Sequence, residues 1–242
     1  MSTTVSWNSS SFLQHLSLNS YVYSDKTHKV QTHTTVSPIQ GFHITSTTTI
    51  SGLDIFLPET NCFAGSLQFV PPGFIIDEYE LNQRYQEGYG PLCHVIGERD
   101  LELPVHAVGG HSAAILAEIP LRPRVRVDIP LHLRYASPLE GVKLSEVQLP
   151  WPWVVVKCDG QVNIGRELLD EIFGNRTTTS RYTLIPPDTT YPSTTILVPT
   201  GNISHQIWVE MGTLLSVFLA FVYVAWCLLK PSRVADTKLK KS

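Results

Sequence analysis

Charge is scarce in this chain: Asp, Glu, Lys and Arg together make up 16% of its residues. The net charge of −3 is unevenly placed. Residues 230–242 hold five basic side chains against one acidic, a net of +4, which leaves −7 on the rest. The main body therefore has no basic field for nucleic acid, and nucleic-acid partners are excluded. Cysteine is scarce too, with Cys62, Cys93, Cys158 and Cys227 and no CxxC spacing, so neither a disulfide scaffold nor a zinc ribbon fits. Glycine and proline, 15 and 17 residues, follow no fixed period, which excludes a collagen-like repeat. No HExxH and no DxD occurs, so the usual local signatures of a zinc hydrolase or a metal-dependent sugar transferase are missing. A length of 242 residues suits one domain of ordinary core size with appendages.

Long apolar runs are also lacking, with one exception. Met211 to Leu229 carries no charge over 19 residues. At about 1.5 Å per residue it spans roughly 28 Å, close to the hydrocarbon thickness of a bilayer. It is apolar all round, and Trp208 and Trp226 stand near its ends, as expected of a transmembrane helix in contact with lipid. The basic residues follow the span, and none lies between Gln206 and Met211. The positive-inside rule puts the tail in the cytosol and residues 1–206 in the lumen. Three N-x-S/T triplets, at Asn8, Asn175 and Asn202, are candidate luminal glycosylation sites. Lys238 and Lys240, at −5 and −3 from the C-terminus, match a dilysine retrieval address of the endoplasmic reticulum. The N-terminus has no basic n-region and no apolar h-region. Either the domain crosses without a cleaved signal, or the start lies upstream, or the protein is tail-anchored with a cytosolic domain.

Before the span, the pattern is that of short strands. Arg124 to Tyr135 alternates apolar and polar residues over twelve positions, with Val125, Val127, Ile129, Leu131, Leu133 and Tyr135 inward and Arg124, Arg126, His132 and Arg134 outward. Pro130 lacks an N–H, which makes this an edge or bulged strand. Trp153–Val156 reads as a buried strand, Ile115–Ile119 as another, and Lys29–Val36 as an edge strand. Only 166–173 looks helical outside the membrane. The expected architecture is all-β: a β-sandwich-like luminal domain over 1–176, its first ~40 residues irregular, plus one C-terminal transmembrane α-helix over 207–230 and a basic tail over 231–242. Residues 177–206 lie between domain and helix. The stretch 177–200 has 11 Ser or Thr and four Pro, which suits either an extended stalk or a last edge strand over Thr194–Val198.

Catalytic chemistry is hard to find. Gly110-His-Ser-Ala-Ala114 resembles a nucleophile elbow built on Ser112, but that motif needs a parallel α/β sheet. The nine histidines form no close ligand set, although His28 with His33, or His106 with His111, can share a metal in principle. No catalytic, metal or cofactor site is expected. Among the luminal cysteines one bridge, Cys93 to Cys158, and three unpaired thiols are both open. Gly212, Ser216 and Ala220, at i, i+4 and i+8, line one helix face, where small residues let a second transmembrane helix approach.

Several segments then match one family. Asp128-Ile-Pro130-Leu131-His132-Leu133-Arg134-Tyr135-Ala-Ser-Pro138 resembles the PLHLRY…P signature of the PIG-X family. Val147-Gln-Leu-Pro-Trp-Pro152 with Cys158 resembles its LP-P…C continuation. Gly41-Phe42-His43 is similar to its GFH motif, with Ile44 where an Arg is usual. Asp77, Glu80 and Leu81 resemble its D-x-x-E-L segment, and Arg99 to Pro104 its D-L-E-x-P segment. The order holds from about residue 41 to 229. The resemblance implies an accessory subunit, with fungal relatives, that binds and stabilises a PIG-M-like multi-span catalytic subunit. That enzyme adds the first mannose to the glucosaminyl-phosphatidylinositol precursor of GPI anchors. The resemblance makes His132, Arg134 and Tyr135 either contact residues or fold-defining ones. The competing class is a β-sandwich cargo receptor or chaperone-like protein retrieved to the endoplasmic reticulum.

Overall fold

Strand alternation dominates the chain because β-branched and aromatic residues recur at every second position between turn residues. The computed structural model describes residues 29–59, 61–109, 112–141, 143–159, 180–188 and 193–230. Eleven strands lie among them: β1 Gln31–Ser37, β2 His43–Ser51, β3 Phe63–Val70, β4 Phe74–Ile75, β5 Cys93–Gly97, β6 Ala113–Ile119, β7 Arg124–Leu133, β8 Leu144–Pro150, β9 Trp153–Asp159, β10 Ser180–Ile185 and β11 Ser193–Pro199. Three helices accompany them: α1 Glu78–Gln86, the single turn α2 Val105–Val108, and α3 Gln206–Leu229.

The strands form a four-stranded sheet in the order β1-β2-β7-β4, a five-stranded sheet β10-β9-β3-β6-β5, and a pair β11-β8. Among the described residues every pairing between these strands is antiparallel. The two larger sheets share one core. Ile44, Ile50, Val127, Ile129 and Leu131 of the first are buried in a cluster with Ile115, Ala117, Val154 and Val156 of the second. The β-rich, sandwich-like expectation is met. A smaller cluster, with Leu67, Leu116, Val155 and Tyr182, lies on the opposite face of the five-stranded sheet, which explains why β9 reads as continuously apolar.

The Ser/Thr-rich start of the chain is not irregular where it is described. β1 and β2 bury Thr32, Thr34, Ser46 and Thr48 on their core side. These residues pack as β-branched or small side chains, and their hydroxyls find partners inside. Thr34 and Thr48, directly opposite in the register, share a hydrogen bond of 3.0 Å. The hydroxyl of Ser46 donates to Gln68 at 3.4 Å, and Thr32 accepts from the Asp188 backbone N–H at 3.0 Å. Buried hydroxyls satisfied this way carry little net penalty.

Two strands, β10 and β11, lie among the described residues of 177–206. The disulfide differs from the pairing weighed above. Cys62 bonds Cys158, with Cα atoms 4.1 Å apart, and Cys93 is free. The sheet order explains this. Cys158 is on β9, Cys62 precedes the neighbouring β3, and Cys93 on β5 lies three strands away from β9. At about 4.8 Å per strand that is roughly 14 Å, beyond the reach of a disulfide.

One compact unit holds all eleven strands; residues 138–143 and the segment from Gly201 onward form a second. In the second unit, Leu139 N–H donates to the Gly201 carbonyl at 3.1 Å. α3 is the one described helix long and apolar enough to cross a membrane, and none of its residues is buried.

Candidate functional site

The separated motifs meet in space. β2 and β7 pair antiparallel, which sets His43 opposite His132. Their rings meet edge to face with Nδ1 atoms 2.7 Å apart. The other nitrogen of His132, Nε2, lies 2.8 Å from a carboxylate oxygen of Glu80. Glu80 sits in the first turn of α1, whose N-cap is Asp77. One Asp77 carboxylate oxygen accepts from the backbone N–H groups of Tyr79 and Glu80, at 2.9 and 3.1 Å, a strong helix-start device. Leu81 anchors the helix in the core. The side chains of Asp77, Glu80 and His132 bring one donor atom each to within 4.8 Å of one another.

Beside this cluster, Gly41 opens the strand. Its φ of 126° is a conformation that L side chains rarely adopt, and its N–H donates to the Leu197 carbonyl at 3.1 Å. Phe42 accepts from the Leu133 N–H at 2.8 Å, and its ring packs on Tyr135. Ile44, the departure from the family pattern, points into the core.

Two residues lie opposite to the expected side. β7 ends at Leu133, so the alternation does not extend to 134 and 135. The Arg134 N–H donates to the Gly73 carbonyl at 2.9 Å, and its side chain turns inward, where it is 4% exposed. The guanidinium donates to the carbonyl oxygens of Phe74 at 3.2 Å and Asp100 at 2.7 Å, and also to that of Leu103. It thereby ties the PLHLRY segment to the D-L-E-x-P segment. Burial lowers the pKa of Arg134 from its ordinary value, while the nearby charges of Glu98 and Asp100 oppose that shift. Tyr135, expected inward, is 75% exposed.

The edge-strand expectation for β7 holds along most of its length. β4 pairs only with His132 and Leu133, so among the described residues Arg124 to Leu131 has a strand neighbour only on the β2 side. Pro130 falls within that stretch, Arg124 and Arg126 are exposed there, and Leu131 and Leu133 are buried.

Other expected sites do not join the cluster. Ser112 is buried and leads into β6 after the short α2, and the described sheets are antiparallel, so the strand–turn–helix of a nucleophile elbow is not formed there. His33 lies exposed on β1 and His106 on α2; their suggested mates His28 and His111 lie outside the described residues. So do Asn8, Asn175, the 166–173 helix, Lys238 and Lys240. Asn202 caps a 3-10 turn, and its side-chain oxygen accepts from the Ser204 N–H at 3.0 Å and hydroxyl at 2.8 Å. Pro138 belongs to the second unit. Gly212, Ser216 and Ala220 all lie on α3, and the Ser216 hydroxyl donates to the Gly212 carbonyl at 2.7 Å.

The residues that meet at this site are those of the separated motifs, and the match extends well beyond it. A family model described as PIG-X / PBN1 matches residues 39–229. The chain belongs to the PIG-X / PBN1 family. It is 30% identical to "Protein pbn1" of Schizosaccharomyces pombe over 189 residues, 74% of this chain and 54% of that protein. It is 30% identical to the Neurospora crassa "Protein pbn1" over 171 residues, 59% of this chain and 33% of the relative. With Yarrowia lipolytica "Protein PBN1" the identity is 31% over 109 residues, 38% and 21% of the two chains. The chain thus spans about half or less of the length of the curated relatives it matches. The PIG-X / PBN1 match runs through β2 to β11, the GFH, D-x-x-E-L, D-L-E-x-P and PLHLRY segments and α3.

What the sequence reading missed is the pairing of His43 with His132 and the inward turn of Arg134. The first had a signal: the GFH and PLHLRY motifs each contain a histidine, and both histidines lie in strands.

Proposed function

We propose that this protein is a non-catalytic subunit in GPI-anchor biosynthesis, which binds and stabilises a PIG-M-like multi-span mannosyltransferase. The reaction served is addition of the first mannose to the glucosaminyl-phosphatidylinositol precursor. The observation that carries this reading is family membership across 39–229, joined to the convergence of the GFH, D-x-x-E-L and PLHLRY residues at one place in the domain. Phe42 and Tyr135 supply an aromatic contact point there, of the kind that anchors protein interfaces. The exposed edge of β7 offers backbone groups to a luminal loop of the partner. In the bilayer, Gly212, Ser216 and Ala220 form the face for a partner helix, with lipid on the other sides.

The β-domain faces the lumen of the endoplasmic reticulum and the C-terminus the cytosol. The basic residues after α3 support this orientation, as does a Cys62–Cys158 disulfide, which suits an oxidising compartment. Affinity purification from gently solubilised membranes should recover a multi-span mannosyltransferase, and removal of the gene should lower GPI-anchored proteins at the cell surface. Normal surface levels without the gene, or recovery of soluble cargo only, overturn the reading in favour of a cargo receptor. Endoglycosidase H sensitivity of the expressed protein checks the luminal orientation.

A further inference from the structure

We propose that Asp77, Glu80 and His132 form a binding site for a divalent zinc-type ion, with His43 as the residue that orients the His132 ring. Such a site was not expected from the sequence. His43 and His132 are 89 residues apart, and Glu80 and His132 52 apart.

The donor set is the first argument. Two carboxylates and one imidazole nitrogen, with ligand atoms within 4.8 Å of one another, converge from a helix start and a strand. Nitrogen together with oxygen donors favours zinc or manganese over calcium and magnesium, which prefer oxygen alone. Zinc bonds to such donors are about 2.0–2.2 Å long, so neighbouring ligand atoms stand roughly 3.3 Å apart around it. The Nε2–carboxylate distance of 2.8 Å has to open by about half an ångström, well within side-chain adjustment. The Asp77 cap uses one carboxylate oxygen, which leaves the second for an ion. Three protein ligands leave a fourth position for water or for an anionic group brought by a partner.

The histidine pair is the second argument. Two Nδ1 atoms at 2.7 Å must share one proton, because two protons would collide and none would leave lone pairs opposed. When Nε2 of His132 binds a metal, its Nδ1 carries the hydrogen and donates to Nδ1 of His43. That is the usual arrangement of a metal-bound histidine, whose second nitrogen is held by a neighbouring acceptor. The other cluster of potential ligands, Glu59 with Cys62 and Cys158, has its two sulfurs bonded to each other.

The test uses the full chain, purified in detergent with any affinity tag removed, stripped with EDTA and reloaded with zinc chloride. Elemental analysis after desalting should find one zinc per chain, and zinc should raise the unfolding temperature reversibly to EDTA. The zinc-edge absorption spectrum should show nitrogen and oxygen ligands only. Asp77→Asn keeps the helix cap acceptor, and Glu80→Gln keeps the shape; each should weaken zinc binding about tenfold or more. Absence of zinc in the reloaded wild type overturns the proposal. So does sulfur ligation, or wild-type affinity in both variants. These outcomes are independent of whether a mannosyltransferase co-purifies.

Discussion

Tyr135 lies on Phe42 with ring centroids 4.5 Å apart and planes inclined at 44°, while most of its own surface stays open to solvent. An aromatic pair of this kind contributes about 1 kcal/mol to folding. A residue that only holds the fold would not leave so much of its ring exposed. Tyr135→Ala should therefore lower the unfolding midpoint slightly and reduce recovery of the partner in affinity purification several-fold. Expression measured in parallel separates the two effects.

Arg134 behaves in the opposite way. Its guanidinium is shared among three backbone carbonyls, and all three lose a donor in Arg134→Ala. Loss of such a buried, charge-assisted set costs on the order of 3 kcal/mol or more. Arg134→Lys should not restore it, because an ammonium cannot reproduce the planar fork. Pulse-chase measurement of each variant without its partner should show rapid degradation of both. Wild-type turnover of Arg134→Ala would make Arg134 a contact residue instead.

The cysteines divide sharply. The Cys62–Cys158 bridge closes a loop with a sequence separation of 96, for which chain-entropy reasoning gives about 4.7 kcal/mol. Cys62→Ser and Cys158→Ser should each lower thermal stability strongly. The Cys93 thiol is pushed up to about 12 by burial, with a smaller contribution from Glu118. Iodoacetamide at pH 8 should leave Cys93 unmodified in the folded protein and label it after unfolding. Its folded pKa lies above the ordinary value of 9.0, so the folded state holds this proton more tightly. The associated stability is complete below pH 9 and is lost as pH rises toward 12.

On α3, Gly212→Leu, Ser216→Leu and Ala220→Leu place bulk on a single face. Combined, they should cut partner recovery while leaving the thermal unfolding of the β-domain unchanged, since no residue of α3 is buried in the described chain. Leu214→Ile and Phe218→Leu, on the opposite face, provide the control, with no loss of recovery expected.

The sequence made the strand alternation of β7 legible as far as Leu133, along with its edge character and the span at Met211–Leu229. It misled at Arg134 and Tyr135 because period-two reasoning assumes the pleat continues, and nothing local marks where a strand ends. The core role of Thr32, Thr34 and Thr48 was hidden for a different reason. A threonine counts as polar in a pattern, yet it buries well once its hydroxyl has a partner across the sheet. The disulfide required the strand order, which brings Cys62 beside Cys158 and keeps Cys93 away. The His43–His132–Glu80 contact likewise exists only after β2 and β7 have paired.

That pairing problem gives the threonine-lined interior a further meaning. A strand that slips by one residue exposes its apolar face, but one that slips by two keeps inside residues inside, and hydrophobic alternation alone does not oppose it. The Thr34–Thr48 hydroxyl bond opposes the two-residue slip that sets Thr34 against Ile50 and Val36 against Thr48, because both hydroxyls then face apolar side chains. At about 1 kcal/mol for a satisfied buried bond, this pair acts as a spelling check on the alignment of β1 with β2.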